Sequence, residues 1–328
     1  MNGLISIQPK VAPQFSSLGT LASLNTLDFA TTPPWVAVWQ RFEQFHSNLG
    51  LTPTQQLDGY TKYAGVVSCL NRAYYGTISE IDNSFFVGSW GKSTTTRPPR
   101  DIDVYFLLPA AVYLRYQNYA YNRQSALLQE VKNQLLLTYT KTDMSGDGQV
   151  VVVNFGSYSV EVVPAFALTT QGRYWICDTH NGGSYKETAP WSEMNQLDSA
   201  DKANAGNLRP LIRMLKAWQA YCSVPIKSFH LELLAAEFIA QSSWRLKSWF
   251  YFDWIIRDFF YFLYHRANGV VFVPGTFEIM SLGNQWQSLA ESAYRRAIKA
   301  CSHEYDNRVV DAGDEWQKIF GPDIPRVL

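Results

Sequence analysis

The run Asp101-Ile102-Asp103-Val104-Tyr105-Phe106-Leu107-Leu108 constrains this chain more than any other part of it. Its apolar residues read as a buried strand. Side chains two apart on a strand face the same way, so Asp101 and Asp103 converge on one spot. Two neighbouring carboxylates repel, and the simplest remedy is a bound divalent cation. That geometry suits Mg2+ held against the phosphates of a nucleotide.

The rest of the chain has to supply a core for such a strand. With 328 residues, 47% hydrophobic and 15% aromatic, there is material for one large or two ordinary domains. Lys and Arg number 28, as do Asp and Glu, so no global field draws the protein onto a nucleic-acid polymer or anionic lipid. Any polyanion site must be a local cluster. Cys69, Cys177, Cys222 and Cys301 show neither metal-ligand nor redox spacing, and the first residues lack a basic region ahead of an apolar core. A reduced, cytoplasmic setting and a monomer are expected. The aromatic stretch Ser248 to Tyr264 is interrupted by Asp253, Arg257 and Asp258, and its apolar runs are too short for a membrane span. It reads as a buried helix.

Residues 1–33, rich in Ser, Thr, Pro and Asn, read as an irregular arm. Helical patterns cover Trp35–Ser47 and Pro53–Tyr75, followed by strands at Phe85–Val87 and Asp101–Leu108. Helices are expected at 110–118 and 122–137, then strands at Leu137–Lys141, Val150–Phe155 and Tyr158–Phe166. Ser145-Gly146-Asp147-Gly148 is the expected turn between the first two. A short strand at 173–177 precedes a stretch that reads as helical from about residue 190 onward. The fold class is therefore α+β, with a strand-rich half over 34–190 and a helical half over 191–328 sharing an interface. The tail Gly321–Leu328 reads as a frayed end.

Several other residues bear on the acidic pair. Glu161, in Tyr158-Ser-Val-Glu-Val-Val-Pro-Ala-Phe166, would add a third carboxylate if its strand lies beside the first; taken alone it is an exposed acid on an edge strand. Gly88-Ser89, opening a helix, offers backbone N–H groups and a hydroxyl to a phosphate tail, or simply a helix cap. Lys92-Ser93 invites comparison with a P-loop, but Phe86 stands where that motif needs Gly. Helix 207–222 carries an apolar stripe and a second stripe of Arg209, Arg213 and Lys216, a phosphate grip or a solvated face. Ser228 reads as the cap of the next helix, and His230 as a packed histidine. In the loop 177–185, Tyr185 is either a stacking surface for a nucleobase or part of a surface turn.

In combination these residues resemble a family. Gly88-Ser89, Asp101-x-Asp103 and Glu161 look like the polymerase-beta-type nucleotidyltransferase signature. Arg-Pro-Pro-Arg-Asp-Ile-Asp-Val, Val-Glu-Val-Val-Pro-Ala-Phe, Asp178-Thr179 with Gly182-Gly183, the helix ending at Trp218 and Lys-Ser-Phe-His-Leu-Glu232 narrow it to the bacterial cGAS/DncV-like nucleotidyltransferases (CD-NTases). The resemblance implies a polymerase-beta-like core, a mixed sheet with flanking helices and a long N-terminal helix. That core would pack on a C-terminal helical bundle, with the active site in the cleft of a bilobed molecule. Members condense ATP, GTP or other nucleoside triphosphates into cyclic di- or trinucleotides that activate effectors in bacterial anti-phage (CBASS) systems. By resemblance, Asp101, Asp103 and Glu161 hold two Mg2+ ions, with Mn2+ an acceptable substitute, and Gly88, Ser89, Lys92, Thr179, Lys216 and Ser228 bind nucleotide. The third acid is often Asp in this group, so Glu161 departs from the pattern. Regulatory or effector proteins from the same operon are the implied partners; no nucleic-acid polymer and no membrane are. A nucleotidyltransferase with an external acceptor and an inactive nucleotide-binding module are the alternatives.

Overall fold

Helix α1 (Val36–Leu49) turns Val38, Phe42, Phe45 and Leu49 inward. Helix α2 (Pro53–Tyr75) begins on a capping box between Thr52 and Gln55, has Pro53 in its first turn, and stops at Gly76 in a left-handed conformation (φ 68°). Those end signals are in the sequence, and the expected span is the observed one. The structure, a computed structural model, describes residues 36–168 and 172–328. The arm expected over 1–33 lies outside the described residues, as does Trp35.

A mixed sheet follows, with its flanking helices. In chain order come β1 (Ser84–Phe86), the single-turn helix α3 (Gly88–Gly91), β2 (Asp101–Leu107), α4 (Ala110–Gln117) and α5 (Arg123–Leu136). Then come β3 (Asp143–Asp147), β4 (Val150–Asn154), β5 (Ser159–Ala167), β6 (Tyr174–Asp178) and β7 (Ser184–Thr188). The order is β1-β2-β5-β4-β3, with β6 pairing the end of β5 and β7 pairing β6. Among the described strands, only β2 and β5 run parallel. Alternation along these two strands divides the sheet into faces. Ile102, Val104, Phe106, Val160 and Val162 pack under α2 and α5, while Tyr105, Val163 and Ala165 pack on the opposite face with Val87 and Ile176.

The helical half comprises α6 (Pro190–Ala203), α7 (Leu208–Tyr221), α8 (Ser228–Gln241), α9 (Phe252–Tyr264), α10 (Gln287–Tyr305) and α11 (Val309–Phe320), with a hairpin of β8 (Val270–Phe272) and β9 (Ile279–Ser281). Its core is built on Trp218, Trp286, Trp316, Phe252, Phe259 and Phe260, each worth about 1.5–3 kcal/mol relative to exposure. α1 buries its apolar face in this core, far along the chain from where the sequence places it. Helix α9 takes the aromatic stretch expected to be buried, and no described helix is long and apolar enough to cross a membrane.

Four expectations need correction. The strand expected at Leu137–Lys141 forms instead at β3, and residues 145–147, expected as a turn, belong to it. α5 runs to Leu136, and the chain then winds back with the Tyr139 N–H on the Leu135 carbonyl. β3 is a polar edge strand held by its ladder to β4, with Met144 buried, so little apolar pattern marks it. Strand β7 and the β8–β9 hairpin were not expected. Finally, the tail is not frayed. Ile324 is fully buried, the Pro325 and Arg326 carbonyls accept from Arg41, and Arg326 pairs with Asp314.

Candidate active site

A cleft of about 840 Å³ opens between the sheet and the helical half. One wall is the face of β2 that carries Asp101 and Asp103, alongside α3. Glu161 stands in register with Asp103 on the neighbouring parallel strand β5, so the two side chains share a face. The chain makes its approach to Asp103 through Gly88, at φ 54°; a Cβ there would overlap the Asp103 carboxylate. The N–H of Val87 donates to the Asp103 carbonyl at 2.9 Å, which fixes α3 over the strand. As in any helix start, the first N–H groups of α3 have no acceptor within the helix.

The opposite wall comes from α7 and α8. Lys216 of α7 donates to Glu232 Oε1 at 2.7 Å and to the Thr94 hydroxyl at 2.9 Å. Lys92, just past α3, reaches Glu232 Oε2 at 3.0 Å and Glu193 of α6 at 3.1 Å. It also lies 4.4 Å from the centre of the Phe229 ring. Burial opposes charge on Glu232, but Lys92 and Lys216 outweigh it and hold the carboxyl below its ordinary value. Burial also works against the Lys92 ammonium, and Glu232 and Glu193 more than offset it, raising its pKa.

Of the residues singled out in the sequence, Gly88, Ser89, Lys92, Asp101, Asp103, Lys216 and Ser228 line this one cleft. Glu161 and Thr179 are not among its lining residues. Thr179 follows β6, where its N–H binds the Gly148 carbonyl and its carbonyl accepts from Asn122, so its backbone serves the turn between β6 and β7. Lys227 rather than Ser228 is the residue preceding α8; Ser228 is its first residue and donates its hydroxyl to Gln219 at 2.7 Å. The Arg209–Arg213–Lys216 stripe divides. Arg209 is tied to Asp198 and Asp201, Arg213 meets His46 and the Ser93 carbonyl at 3.2 Å, and Lys216 alone of the three lines the cleft. Tyr185 packs among Tyr113, Phe166 and Trp175, with its hydroxyl buried, and so is no stacking surface for a base. His230 is buried, as expected for a packed histidine.

Sequence reasoning missed Thr94, Glu193 and Glu232. Glu232 had a visible signal, a carboxylate one turn into a helix whose first residue is a candidate phosphate contact. Glu193 had none beyond lying in the first turn after Pro190.

Whether the acidic wall suits a metal can be judged from Asp103. Burial first, and Asp101 second, push its carboxyl above the ordinary range, with Lys92 and Lys216 opposing in part. A carboxylate forced to stay charged beside another is a good donor to a hard divalent cation, so Asp101 and Asp103 fit Mg2+. Among the described residues, no three His, Cys, Asp or Glu side chains close tightly enough to form a metal centre unaided. Two carboxylates with open positions leave room for phosphate oxygens.

The chain matches the family described as the Second Messenger Oligonucleotide or Dinucleotide Synthetase domain (SMODS) over residues 36–201, and it belongs to that family. It is 21% identical over 218 residues to a probable cyclic nucleotide synthase of Bacillus cereus (strain VD146), an alignment covering 61% of this chain and 62% of that relative. Solved structures share the fold. The CD-NTase CdnG of Bradyrhizobium diazoefficiens, in complex with GTP, superposes with a TM-score of 0.63 at 12% identity, over 90% of this chain and 97% of that one. CdnC of E. coli MS115-1, in complex with a HORMA protein, gives 0.62 at 16% identity, over 87% and 98%. DncV of Vibrio cholerae, a cyclic AMP-GMP synthase holding the linear intermediate pppA(3′,5′)pG, gives 0.61 at 12%, over 89% and 88%. The fold is that of the CD-NTases.

Proposed function

With membership of that family as the premise, we propose that this protein is a nucleotidyltransferase condensing nucleoside triphosphates, ATP and GTP foremost, into a cyclic di- or trinucleotide. The observation that carries the reading is the facing of two walls. Asp101 and Asp103 share one side of β2, Lys216 and Ser228 line the other side of the same cleft, and Gly88-Ser89 lies beside the acids. GTP in the CdnG structure and a linear dinucleotide in the DncV structure support nucleotide triphosphates as substrates.

Asp101 and Asp103 would hold Mg2+, with Glu161 on the same sheet face as the third acid the resemblance implies; once bound, the ion would neutralise phosphate charge and acidify the attacking hydroxyl. The protein's own groups do the rest. Lys216, Ser228 and the α3 N–H groups hold the donor triphosphate. A ribose hydroxyl of the acceptor attacks the donor's α-phosphorus in line; the new P–O bond forms as the bond to pyrophosphate breaks, and the hydroxyl proton leaves to solvent. The linear product turns over in the cleft and a second attack closes the ring, releasing the second pyrophosphate. Positioning and charge neutralisation dominate such chemistry, so no covalent enzyme intermediate is needed. The product serves as a second messenger in anti-phage (CBASS) signalling in the cytoplasm, with effector or regulatory proteins of the same operon as partners.

The test is incubation of the purified protein with ATP, GTP, CTP and UTP and Mg2+, without an added acceptor. Phosphatase-resistant cyclic products identified by mass spectrometry are expected. Their absence, with nucleotide binding intact, would point to an external acceptor instead.

A further inference from the structure

The two lysines that meet Glu232, Lys92 after α3 and Lys216 of α7, differ in what holds their donors. An ammonium has three N–H donors and no acceptor. On Lys92, Glu232 and Glu193 each take one, at 3.0 and 3.1 Å, and the Phe229 ring covers the head at 4.4 Å. Both acceptors on Lys92 are carboxylates, so its charge is matched within the protein. On Lys216, Glu232 takes one donor at 2.7 Å, and Thr94 takes a second through its hydroxyl at 2.9 Å, with its carbonyl 3.4 Å away. The third N–H therefore has only the long contact to the Thr94 carbonyl, the weakest of the three and the one a phosphate oxygen in the cleft could displace.

Glu232 is the residue the two lysines share. Its side chain is 7% exposed, so its charge survives only through those partners. Its two oxygens are divided, Oε2 to Lys92 and Oε1 to Lys216 and Thr94. Lys92 in turn is anchored by Glu193 on α6, so Glu232 is held at a fixed point between the loop after α3 and α7. Without Glu232 the Lys216 ammonium would keep only its contacts to Thr94 and lose the one charged partner that fixes it.

We propose that Glu232 is a positioning residue that orients Lys216 so that its weakly held third N–H turns to the phosphates of the donor nucleotide, while Lys92, bound to two carboxylates, serves as the buried anchor rather than a phosphate ligand. This rests on the nucleotidyltransferase reading above and deepens it. It revises the role of Lys92, which resemblance assigns to nucleotide binding. The charged groups around Lys216 are Glu232, in contact on the same wall, and Lys92 and Asp103 beyond it.

The test measures how strongly the protein prefers triphosphate over monophosphate, using α,β-methylene-ATP and AMP with Mg2+ in titration calorimetry. The wild type is expected to prefer α,β-methylene-ATP. K216M and E232Q should each cut that preference by about tenfold or more, the scale of one charge-assisted hydrogen bond. The double variant K216M/E232Q should lose no more than K216M alone, because both changes remove one contact. Additive losses, or an E232Q protein with the wild-type preference, would overturn the proposal: Glu232 would then be a strut only. If E232Q does not fold, K92M/E232Q removes the cation that change would strand, and it should show the same lost preference. An unchanged preference in that variant is equally fatal. A wild type that binds neither probe would sink the nucleotidyltransferase reading itself, and this proposal with it.

Discussion

The two walls of the cleft treat buried carboxylates in opposite ways. On the sheet side, Asp103 has Asp101 as its near neighbour, and burial and repulsion push its carboxyl up. On the helical side, Glu232 has two ammonium groups in hydrogen-bonding contact, and they override burial and hold its carboxyl down. The chemistry of the side chains is nearly the same; the partners differ. A wall whose charges are matched keeps its shape without help. A wall whose charges are unmatched is where a ligand of opposite sign gains most, and such perturbed groups cluster at functional sites.

This contrast can be broken or sharpened by experiment. The largest expected effect is on activity. D101N/D103N should lose product formation by at least about a thousandfold, the scale of losing electrostatic stabilisation of a transition state. Its melting temperature should not fall, since the change removes a repulsion. Chromatography of nucleotide incubations and a thermal melt check both halves. Next comes E232A, which leaves two buried cations short of a partner and should cost about 3–5 kcal/mol in urea unfolding. A cost below that of D103N would erase the distinction between the walls. Smaller again is the effect of Mg2+, which should raise wild-type stability by about 2.7 kcal/mol at a concentration a hundredfold above its Kd and leave D101N/D103N unmoved. Stabilisation of both proteins alike would move the ion elsewhere.

The pH dependence is the finest test, because the two shifts have opposite signs. Asp103 has a raised carboxyl pKa, so its contribution to stability is present below the ordinary carboxylate value and is lost as pH rises through the raised one. Glu232 has a lowered one, so its contribution is present above the ordinary value and is lost as pH falls through the lowered one. In metal-free urea titrations between about pH 3 and pH 7, D103N should therefore gain on the wild type as pH rises. E232Q should lose most at the neutral end. Parallel curves would refute the opposite signs.

Much of the sheet wall was legible in the sequence, for local reasons. The alternation around Asp101 and Asp103 gives the strand and its faces, and Gly88-Ser89 was readable as a helix opening beside them, though not its close approach to Asp103. Glu161 was readable only as a third carboxylate if its strand lay beside the first; the parallel register puts it on the face of Asp103, though it does not line the cleft. The helical wall was legible only in outline. The stripe on α7 gives Lys216, but nothing local says that Arg209 is taken up by Asp198 and Asp201, or that Lys92 turns to two glutamates. The Lys92 pairs join residues more than a hundred positions apart, and the Arg209 pairs cross from α6 to α7, so neither leaves a periodicity to read. β3 and the β8–β9 hairpin escaped for a related reason: polar or very short strands take their stability from ladder partners rather than from an apolar pattern of their own.

One rim of the cleft is made by Phe320, Pro322 and Asp323. Behind it, the fully buried Arg41 of α1 is held by Glu304 at 2.7 Å, by the Val309 carbonyl at 2.7 Å, and by the carbonyls of Pro325 and Arg326. Lifting that rim means stripping a guanidinium of its acceptors inside the apolar interior, a cost of several kcal/mol. The entrance on this side is therefore a frame and not a flap. A molecule too bulky to pass it has to loosen the core around Arg41 before it can enter, so the size limit of the cleft and the stability of the helical half stand or fall together.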